Sequence, residues 1–200
     1  MIVKNCLPTI VILTGGLGTR LFPKTKKIPK SLVKINSKPF LFYQLKLLEK
    51  KKFKKIIICT GYKSNLIKNY LKKNNFNLDI IISNDGKKQL GTGGAIKKTL
   101  NELDEKFFVI FGDSYLDLNY INIYKKYLSL KKRNLIVCQK FKKFYEHYSI
   151  KPELIVKNNK IIEYKNLKNK MTHIYYGIGI FNKVSFKKIN KNSFDLHFFF

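Results

Sequence analysis

Three short polar segments of the chain combine glycines with side chains that could bind a phosphorylated ligand. They occupy residues 15–20, 85–94 and 112–117, and each follows a run of β-branched or aromatic residues. Glycines let a backbone approach a phosphate closely, and loop N–H groups can cradle its oxygens. Because ligands of an open parallel sheet bind beyond the carboxyl ends of its strands, we expect the three segments to converge on one ligand.

The first segment reads GGLGTR and is followed by Pro29-Lys30. Arg20 can donate two parallel hydrogen bonds to a phosphate, and Lys30 adds a point charge. A dinucleotide-binding fold would require an acid about 20 residues further on, but the first acid after the loop is Glu49. A GxxxxGK[S/T] phosphate loop is absent as well. A glycine-rich turn without a ligand remains the alternative.

The elements that must position these segments alternate along the chain. Short apolar runs predict strands at 9–14, 55–60, 78–83, 107–111 and 135–139. Helical spacing predicts helices at 40–48, 65–73 with Ser64 as N-cap, 94–103 and 119–130. The alternation predicts an α/β fold, a three-layer Rossmann-like arrangement with a mostly parallel sheet and helices on both faces.

The pattern changes beyond residue 150. Two strand-like runs at 153–157 and 160–165 flank Asn158-Asn159, a typical hairpin turn, and a further strand is expected at 173–181. Length and pattern indicate one domain over residues 1–200. Because a natural domain rarely ends on three exposed aromatic residues, here Phe198, Phe199 and Phe200, we expect this domain to be incomplete at its C-terminus.

Composition narrows the class of protein. The chain has 41 Lys+Arg against 12 Asp+Glu and a net charge of +29, but only Arg20 and Arg133 are arginines. Because the lysines are dispersed and arginines are rare, we expect most of this charge to lie on solvated surfaces rather than at a nucleic-acid-binding site. Lysines can still bind nucleic acid through counterion release, so nucleic-acid binding is one of the hypotheses considered. The three cysteines are Cys6, Cys59 and Cys138, without a CxxC pair or zinc spacing. No membrane span or signal peptide is evident, so we expect a cytoplasmic protein.

The sequence resembles the sugar-1-phosphate nucleotidyltransferases, also called NDP-sugar pyrophosphorylases. Its nearest likeness is to short bacterial members such as heptose-1-phosphate guanylyltransferases. The resemblance covers nearly the whole chain in the family's order. It rests on ILTGGLGTRL with Pro23 and IPK, and on KPFL (38–41), Gly61-Tyr62, LGTGGA (90–95), FFVIFGDSYL (107–116) and THIYYG (172–177).

The resemblance implies that a sugar-1-phosphate oxygen attacks the α-phosphorus of an NTP and releases pyrophosphate. It assigns the nucleotide to two glycine-rich segments, with Arg20 on the departing pyrophosphate and Lys30 on the α-phosphate. The implied nucleotide-binding residues are Gly15, Gly16, Gly18, Thr19, Gln89, Gly91, Thr92 and Gly93. Gln89 could read the base edge or be a solvated loop residue.

The resemblance also implies a magnesium ion and a sugar-phosphate site. Asp113 follows the fourth strand, where a carboxylate can hold Mg²⁺ against phosphate oxygens. Asp117 is expected to contact sugar hydroxyls or to cap the next helix. The remaining implied sugar-phosphate residues are Glu163, Lys165, Tyr176 and Gly177.

Two functions are therefore expected from the sequence in addition to the nucleic-acid hypothesis. The first is Mg²⁺-dependent synthesis of an NDP-sugar for surface polysaccharide or glycan, with NTP and sugar 1-phosphate as substrates and without a specific nucleic-acid partner. The alternative is a truncated, catalytically impaired module that binds nucleotide or sugar phosphate, because the family's second metal-binding acid is expected beyond residue 200. A homo-oligomer is an open possibility. Neither the base nor the sugar is specified by these motifs.

Overall fold

A computed structural model of the chain describes residues 7–130, 134–165 and 170–200. Cys6 and Arg133 therefore lie outside the described residues. The strands are β1 (Ile10–Leu13), β2 (Lys34–Ile35), β3 (Lys38–Pro39), β4 (Lys55–Thr60), β5 (Asp79–Asn84), β6 (Lys106–Phe111), β7 (Leu135–Lys140), β8 (Leu154–Lys157), β9 (Lys160–Tyr164) and β10 (His173–Asn182). The α-helices are α1 (Lys24–Lys27), α2 (Phe40–Lys50), α3 (Ser64–Lys72), α4 (Gly91–Lys98), α5 (Tyr120–Ser129) and α6 (Lys183–Lys187).

One large sheet organises the chain. Its order is β5–β4–β1–β6–β10–β8–β9, with β7 paired to β10. The first four strands of this order are parallel, and β10 runs antiparallel to β6. The chain moves outward from β1 through β4 to β5 and then returns to the other side of β1 to form β6. The strand order therefore reverses between β1 and β6, which is where such sheets bind ligands.

The two faces of the sheet carry separate cores, because successive strand residues point to opposite sides. Ile10 and Ile12 of β1 lie in the first core, with α2, α3 and α5. Val11 and Leu13 lie in the second core, with α4 and α6. Helices thus cover both faces, and the expected three-layer α/β fold is confirmed. Among the described residues, no helix is both long and apolar enough to cross a membrane.

Several element boundaries differ from the sequence-based predictions. Helix α4 begins at Gly91 rather than residue 94, because the glycines that suggested a loop are its first turn. Lys63, at φ 52°, occupies the N-cap position of α3, while Ser64 is its first residue and its hydroxyl lies 2.7 Å from that of Thr60. The predicted hairpin forms between β8 and β9, with Asn158 and Asn159 at positive φ.

The three C-terminal phenylalanines have different environments. Phe198 is 58% exposed, but the ring of Phe199 lies 4.6 Å from that of Phe186, and Phe200 lies 5.1 Å from Tyr175. Phe199 and Phe200 are half-buried against the second core, so none of the three rings is fully buried, and Phe198 is the most exposed of them.

Candidate functional site

A cleft of about 470 Å³ opens at the carboxyl ends of the parallel strands. Its position matches the reversal of strand order between β1 and β6. The residues that line it come from all three predicted segments and from the C-terminal region: Leu13, Thr14, Gly15, Gly16, Gly18, Arg20, Lys30, Ser31, Cys59, Asp85, Gln89, Gly91, Thr92, Ala95, Phe111, Gly112, Asp113 and Asp195. The three segments therefore converge as expected.

The first loop is anchored at its two ends and open between them. The backbone N–H and hydroxyl of Thr14 both donate to the Cys59 carbonyl at 2.8 Å. Gly18 has a φ of 66°, and its carbonyl accepts a hydrogen bond from the buried Thr25 hydroxyl at 2.8 Å. A Cβ at Gly16 would meet no atom within 4 Å. The loop therefore has space for a ligand beside its backbone.

Lys30 and Asp113 form an ion pair in the lining of the cleft. Lys30 opens a 3-10 turn after Pro29, and its Nζ donates to Asp113 Oδ2 at 2.6 Å. The two side chains are 34% and 44% exposed. Solvent-exposed ion pairs contribute little to stability. Separating Lys30 from Asp113 to bind a charged ligand should therefore cost little free energy.

The turn that carries Asp113 is fixed by its surroundings. Gly112 N–H donates to the Leu13 carbonyl at 2.9 Å, and a Cβ at Gly112 would lie 2.5 Å from Thr14 Cγ2. On the other side, the side-chain amide of Gln44 in α2 donates to the carbonyls of Phe111 and Ser114 at 2.9 and 2.8 Å. Asp113 therefore projects from a rigid turn into the cleft.

Asp85 is a second carboxylate in the cleft. It follows β5, accepts a hydrogen bond from Leu90 N–H at 3.2 Å and lies beside Gly15. Burial raises the pKa of Asp85 above its ordinary value, while the Leu90 hydrogen bond and the nearby Lys98 oppose that shift. An acceptor at this position could pair with donors on a ligand.

The LGTGGA motif is held by a segment a hundred residues further on. Asp195 Oδ1 accepts hydrogen bonds from the N–H and hydroxyl of Thr92 at 3.2 and 3.3 Å. The Phe194 carbonyl accepts from the N–H groups of Gly93 and Gly94 at 2.9 and 3.0 Å. We call residues 192–196 the docking segment, since they supply the partners that the first turn of α4 would otherwise lack.

Most residues that the sequence assigned to the nucleotide line the cleft, but two do not. Those that do are Gly15, Gly16, Gly18, Arg20, Lys30, Gln89, Gly91, Thr92 and Asp113. Thr19 and Gly93 are not among the lining residues. The structure gives Gly93 a different reason to be glycine, because a Cβ there would lie 2.3 Å from the Phe194 ring.

The residues assigned to the sugar phosphate lie outside this cleft. Asp117 forms an ion pair with Lys51, which lowers the pKa of its carboxyl group. It does not cap α5, because the Asn119 side chain accepts the hydrogen bond from Asn122 N–H at 3.0 Å. The alternative that Asp117 caps the next helix is therefore wrong.

The other sugar-phosphate residues lie on the antiparallel strands or directly after them. Glu163 is half-buried in β9, and Lys165 pairs with Glu153 at 3.5 Å. Tyr176 is half-buried beside Tyr145, and burial raises the pKa of its hydroxyl. Gly177 adjoins the Asp113 turn, since a Cβ there would lie 2.6 Å from Ser114 Oγ.

Four functional candidates were missed from the sequence: Ser31, Gln44, Asp85 and Asp195. Asp85 opens a segment that was identified, and its place directly after a strand was a usable signal. Gln44 lies in a helix with ordinary apolar spacing. The only sequence signal is that its side chain is polar while its neighbours on the same face are leucines. Asp195 gave no local signal, because its partners are about a hundred residues away.

The metal-binding capacity of the cleft rests on a small set of carboxylates. Within the described residues, no three His, Cys, Asp or Glu side chains form a group that could hold a metal ion. Mg²⁺ in phosphate sites commonly uses one or two protein carboxylates, with phosphate and water oxygens as its other ligands. The exposed Asp113 carboxylate on its rigid turn fits that mode of binding.

Comparison with known proteins gives the same family throughout. The family model described as Nucleotidyl transferase matches residues 9–173. A D-glycero-alpha-D-manno-heptose 1-phosphate guanylyltransferase of Campylobacter jejuni is 41% identical over 62% of this chain, an alignment that spans 58% of that protein. The enzyme of the same name from Aneurinibacillus thermoaerophilus is 32% identical over 88% of this chain and 76% of its own length.

A solved structure agrees with these relatives. HddC from Yersinia pseudotuberculosis, complexed with GMP-PN, has a TM-score of 0.78 and 30% identity, covering 94% of this chain and 83% of its own. The fold, the glycine-rich loop and the matched residues lead to one conclusion: the chain belongs to the nucleotidyl transferase family.

Proposed function

We propose that this protein transfers a guanylyl group from GTP to a sugar 1-phosphate of the heptose or mannose type, giving a GDP-sugar and pyrophosphate. The observation that carries the proposal is the convergence of the GGLGTR loop, the Lys30–Asp113 pair and Asp85 in one cleft. The relatives named for guanylyl transfer to heptose 1-phosphate support this choice of substrates.

The chemistry requires positioning and charge rather than a protein nucleophile. An oxygen of the sugar phosphate forms a bond to the α-phosphorus of GTP, and the bond from that phosphorus to the bridging oxygen of the β-phosphate breaks. The electron pair leaves with pyrophosphate. Such transfers depend on alignment and on neutralisation of the phosphate charge.

Arg20 and Lys30 would neutralise different parts of that charge. Arg20 is exposed on the 3-10 turn that ends the glycine-rich loop, where its forked donors can bind the departing pyrophosphate. Lys30 lies beside Gly18 of the same loop, and its ammonium can turn from Asp113 to an α-phosphate oxygen. Its flexible stem and its partial exposure allow that exchange.

Asp113 would hold Mg²⁺ in this reaction. The ion, when bound, draws phosphate oxygens together and offsets their negative charge. With the Asp113 carboxylate engaged in this way, the ammonium of Lys30 would be available to phosphate. The cytoplasm, which holds GTP and sugar phosphates, is the expected compartment.

Asp85 would select guanine. An ionised carboxylate only accepts hydrogen bonds, and the Watson–Crick edge of guanine offers two adjacent donors, N1–H and the 2-amino group. Adenine offers an acceptor at N1 instead. Gln89 also lines the cleft and could contact the same edge. For the sugar phosphate, we propose Asp117, which follows β6, together with Tyr176, Gly177, Glu163 and Lys165 around the antiparallel strands.

The test is pyrophosphate release with GTP, ITP, ATP, CTP and UTP against heptose 1-phosphate and mannose 1-phosphate. GTP with one of these sugars should be fastest, and ITP, which lacks the 2-amino group, should be slower. In Asp85→Asn, kcat/KM for GTP should fall about 10- to 100-fold, since a hydrogen bond to a charged group contributes about 1.5–3 kcal/mol. Nucleotide binding without turnover on any sugar would instead favour the binding module.

The pH dependence gives a second check on Asp85. Protonation removes the acceptor, so the KM for GTP should rise as the pH falls through the pKa of Asp85. Because burial raises that pKa, the loss should begin at a higher pH than for an ordinary aspartate. Asp85→Asn should abolish this part of the profile.

A further inference from the structure

Gln44 is a polar residue in the middle of an apolar helix face. It lies in α2 and is completely buried, and its neighbours Leu41, Leu45 and Leu48 are completely buried in the first core. A polar side chain in such a place is costly unless hydrogen bonds compensate it. An apolar residue of the same size would satisfy the packing, so packing does not explain the glutamine.

The hydrogen bonds of Gln44 are directed at one turn. Its Nε2 donates to the Phe111 carbonyl at 2.9 Å and to the Ser114 carbonyl at 2.8 Å. Within the part of the chain that the structure describes, its Oε1 has no hydrogen-bond partner. Because the Phe111 and Ser114 carbonyls are both acceptors, only the amide nitrogen of Gln44 can face them. The side chain therefore leaves its own acceptor unsatisfied and serves the turn alone.

The two carbonyls lie on either side of Asp113. Phe111 ends β6, and its carbonyl also accepts the Ser114 N–H at 3.0 Å, which closes the turn. Gln44 thus joins both ends of the four-residue turn 111–114 to α2. Loss of this connection would free the turn on the side opposite the contact of Gly112 with β1.

We infer that Gln44 is a positioning residue that sets the direction of the Asp113 carboxylate by bridging the Phe111 and Ser114 carbonyls. It touches neither substrate nor metal and acts only through the turn. The inference rests on the proposed function, in which Asp113 holds the divalent cation. Residues that orient a metal ligand typically change metal affinity or activity about 10- to 100-fold when replaced.

The experiment compares Gln44→Met with Leu48→Ala. Gln44→Met preserves approximate volume and removes both donors. Leu48→Ala disturbs the same helix face one turn away without removing a hydrogen bond to the turn. Gln44→Asn is the second polar variant, because it keeps the amide and shortens its reach, so the inference is testable even if methionine impairs folding.

Three readouts separate positioning from general instability. The first is Mn²⁺ affinity measured by electron paramagnetic resonance with a non-hydrolysable GTP analogue present. The second is kcat and KM for GTP, and the third is amide hydrogen exchange of residues 112–114. We expect Gln44→Met and Gln44→Asn to weaken Mn²⁺ binding about 10- to 100-fold. We also expect them to lower kcat more than they raise KM, and to accelerate exchange in the turn.

The outcomes distinguish the inference from the function on which it depends. Mn²⁺ affinity equal to that of the parent in both Gln44 variants, or an equal loss in Leu48→Ala at matched thermal stability, would overturn the role of Gln44 and leave the proposed function intact. A parent protein that binds neither the analogue nor Mn²⁺ would overturn both.

Discussion

The two glycine-rich parts of the cleft have similar compositions, but Gly16 in the first part and Gly93 and Gly94 in the second have opposite environments. In residues 15–20, a Cβ at Gly16 would meet nothing within 4 Å. In α4, a Cβ at Gly94 would lie 2.4 Å from the Asn192 carbonyl oxygen, and one at Gly93 would overlap the Phe194 ring. Gly16 leaves room for a ligand, whereas Gly93 and Gly94 make room for the protein's own docking segment. Glycine content alone therefore does not identify a ligand-binding loop.

The largest effect that would test this comparison is expected from Arg20→Ala. If the first loop serves a ligand, removal of its charged end should lower kcat by about 100- to 1000-fold, because a lost transition-state contact costs roughly 2.7–4 kcal/mol. The thermal midpoint should not change, since Arg20 is exposed and lies outside both cores. Pyrophosphate release and differential scanning fluorimetry on the same preparation measure the two effects. Parental turnover would remove the first loop from the catalytic machinery.

Gly94→Ala should produce the next largest effect, and it should be on stability. Overpacking costs about 1–3 kcal/mol, and the helix preference of alanine returns up to about 1 kcal/mol. We expect a net loss of about 1–2 kcal/mol, because the opposing atom is a backbone oxygen of residue 192. Urea unfolding measures this loss. An unchanged midpoint would mean that the docking segment does not hold this helix end.

Asp195→Ala should lower the free energy of unfolding by less than Gly94→Ala does. It removes an acceptor for two groups of Thr92, a contact comparable to a helix N-cap, so we expect a loss of about 0.5–1 kcal/mol. Asp195→Asn is the matched control and should lie within a few tenths of a kcal/mol of the parent, because the amide oxygen still accepts. If both variants lost the same stability, the charge of Asp195 rather than its hydrogen bonds to Thr92 would be the stabilising factor.

Gly16→Ala should have the smallest effect on folding. The methyl group enters open space, so the free energy of unfolding should stay within about 0.5 kcal/mol of the parent. The affinity for GTP should fall, because the methyl group occupies space that the ligand needs. Isothermal titration with GTP provides the measurement. A stability loss equal to that of Gly94→Ala would erase the contrast between the two regions.

The fold was largely predictable because its signals are local. The β-branched runs at 55–60 and 107–111 coincide with β4 and β6 to within one residue, and the Asn158-Asn159 turn forms the expected hairpin. The start of α4 was missed because glycines normally disfavour helix interiors. Here the docking segment supplies the hydrogen bonds that stabilise that first turn.

The site was predictable only where a residue and its partner shared a recognisable segment. Arg20, Lys30 and Asp113 follow strands or lie in a motif, so their convergence followed from strand direction. Gln44 could not be assigned, because its partners are 67 and 70 residues away and a helix face gives no hint of them. The ion pair of Asp117 with Lys51 could not be predicted either, because Lys51 lies 66 residues earlier in the chain.

The distance along the chain between α4 and the docking segment has a consequence for synthesis. Thr92 and Asp195 are 103 residues apart. At about 5–20 residues per second, the ribosome needs roughly 5–20 s to add the later partner after the earlier one. During that interval the N–H groups of Gly93 and Gly94 have no carbonyl from residue 194 to receive them. The wall of the cleft that α4 forms therefore gains these contacts only after about a hundred further residues have been synthesised.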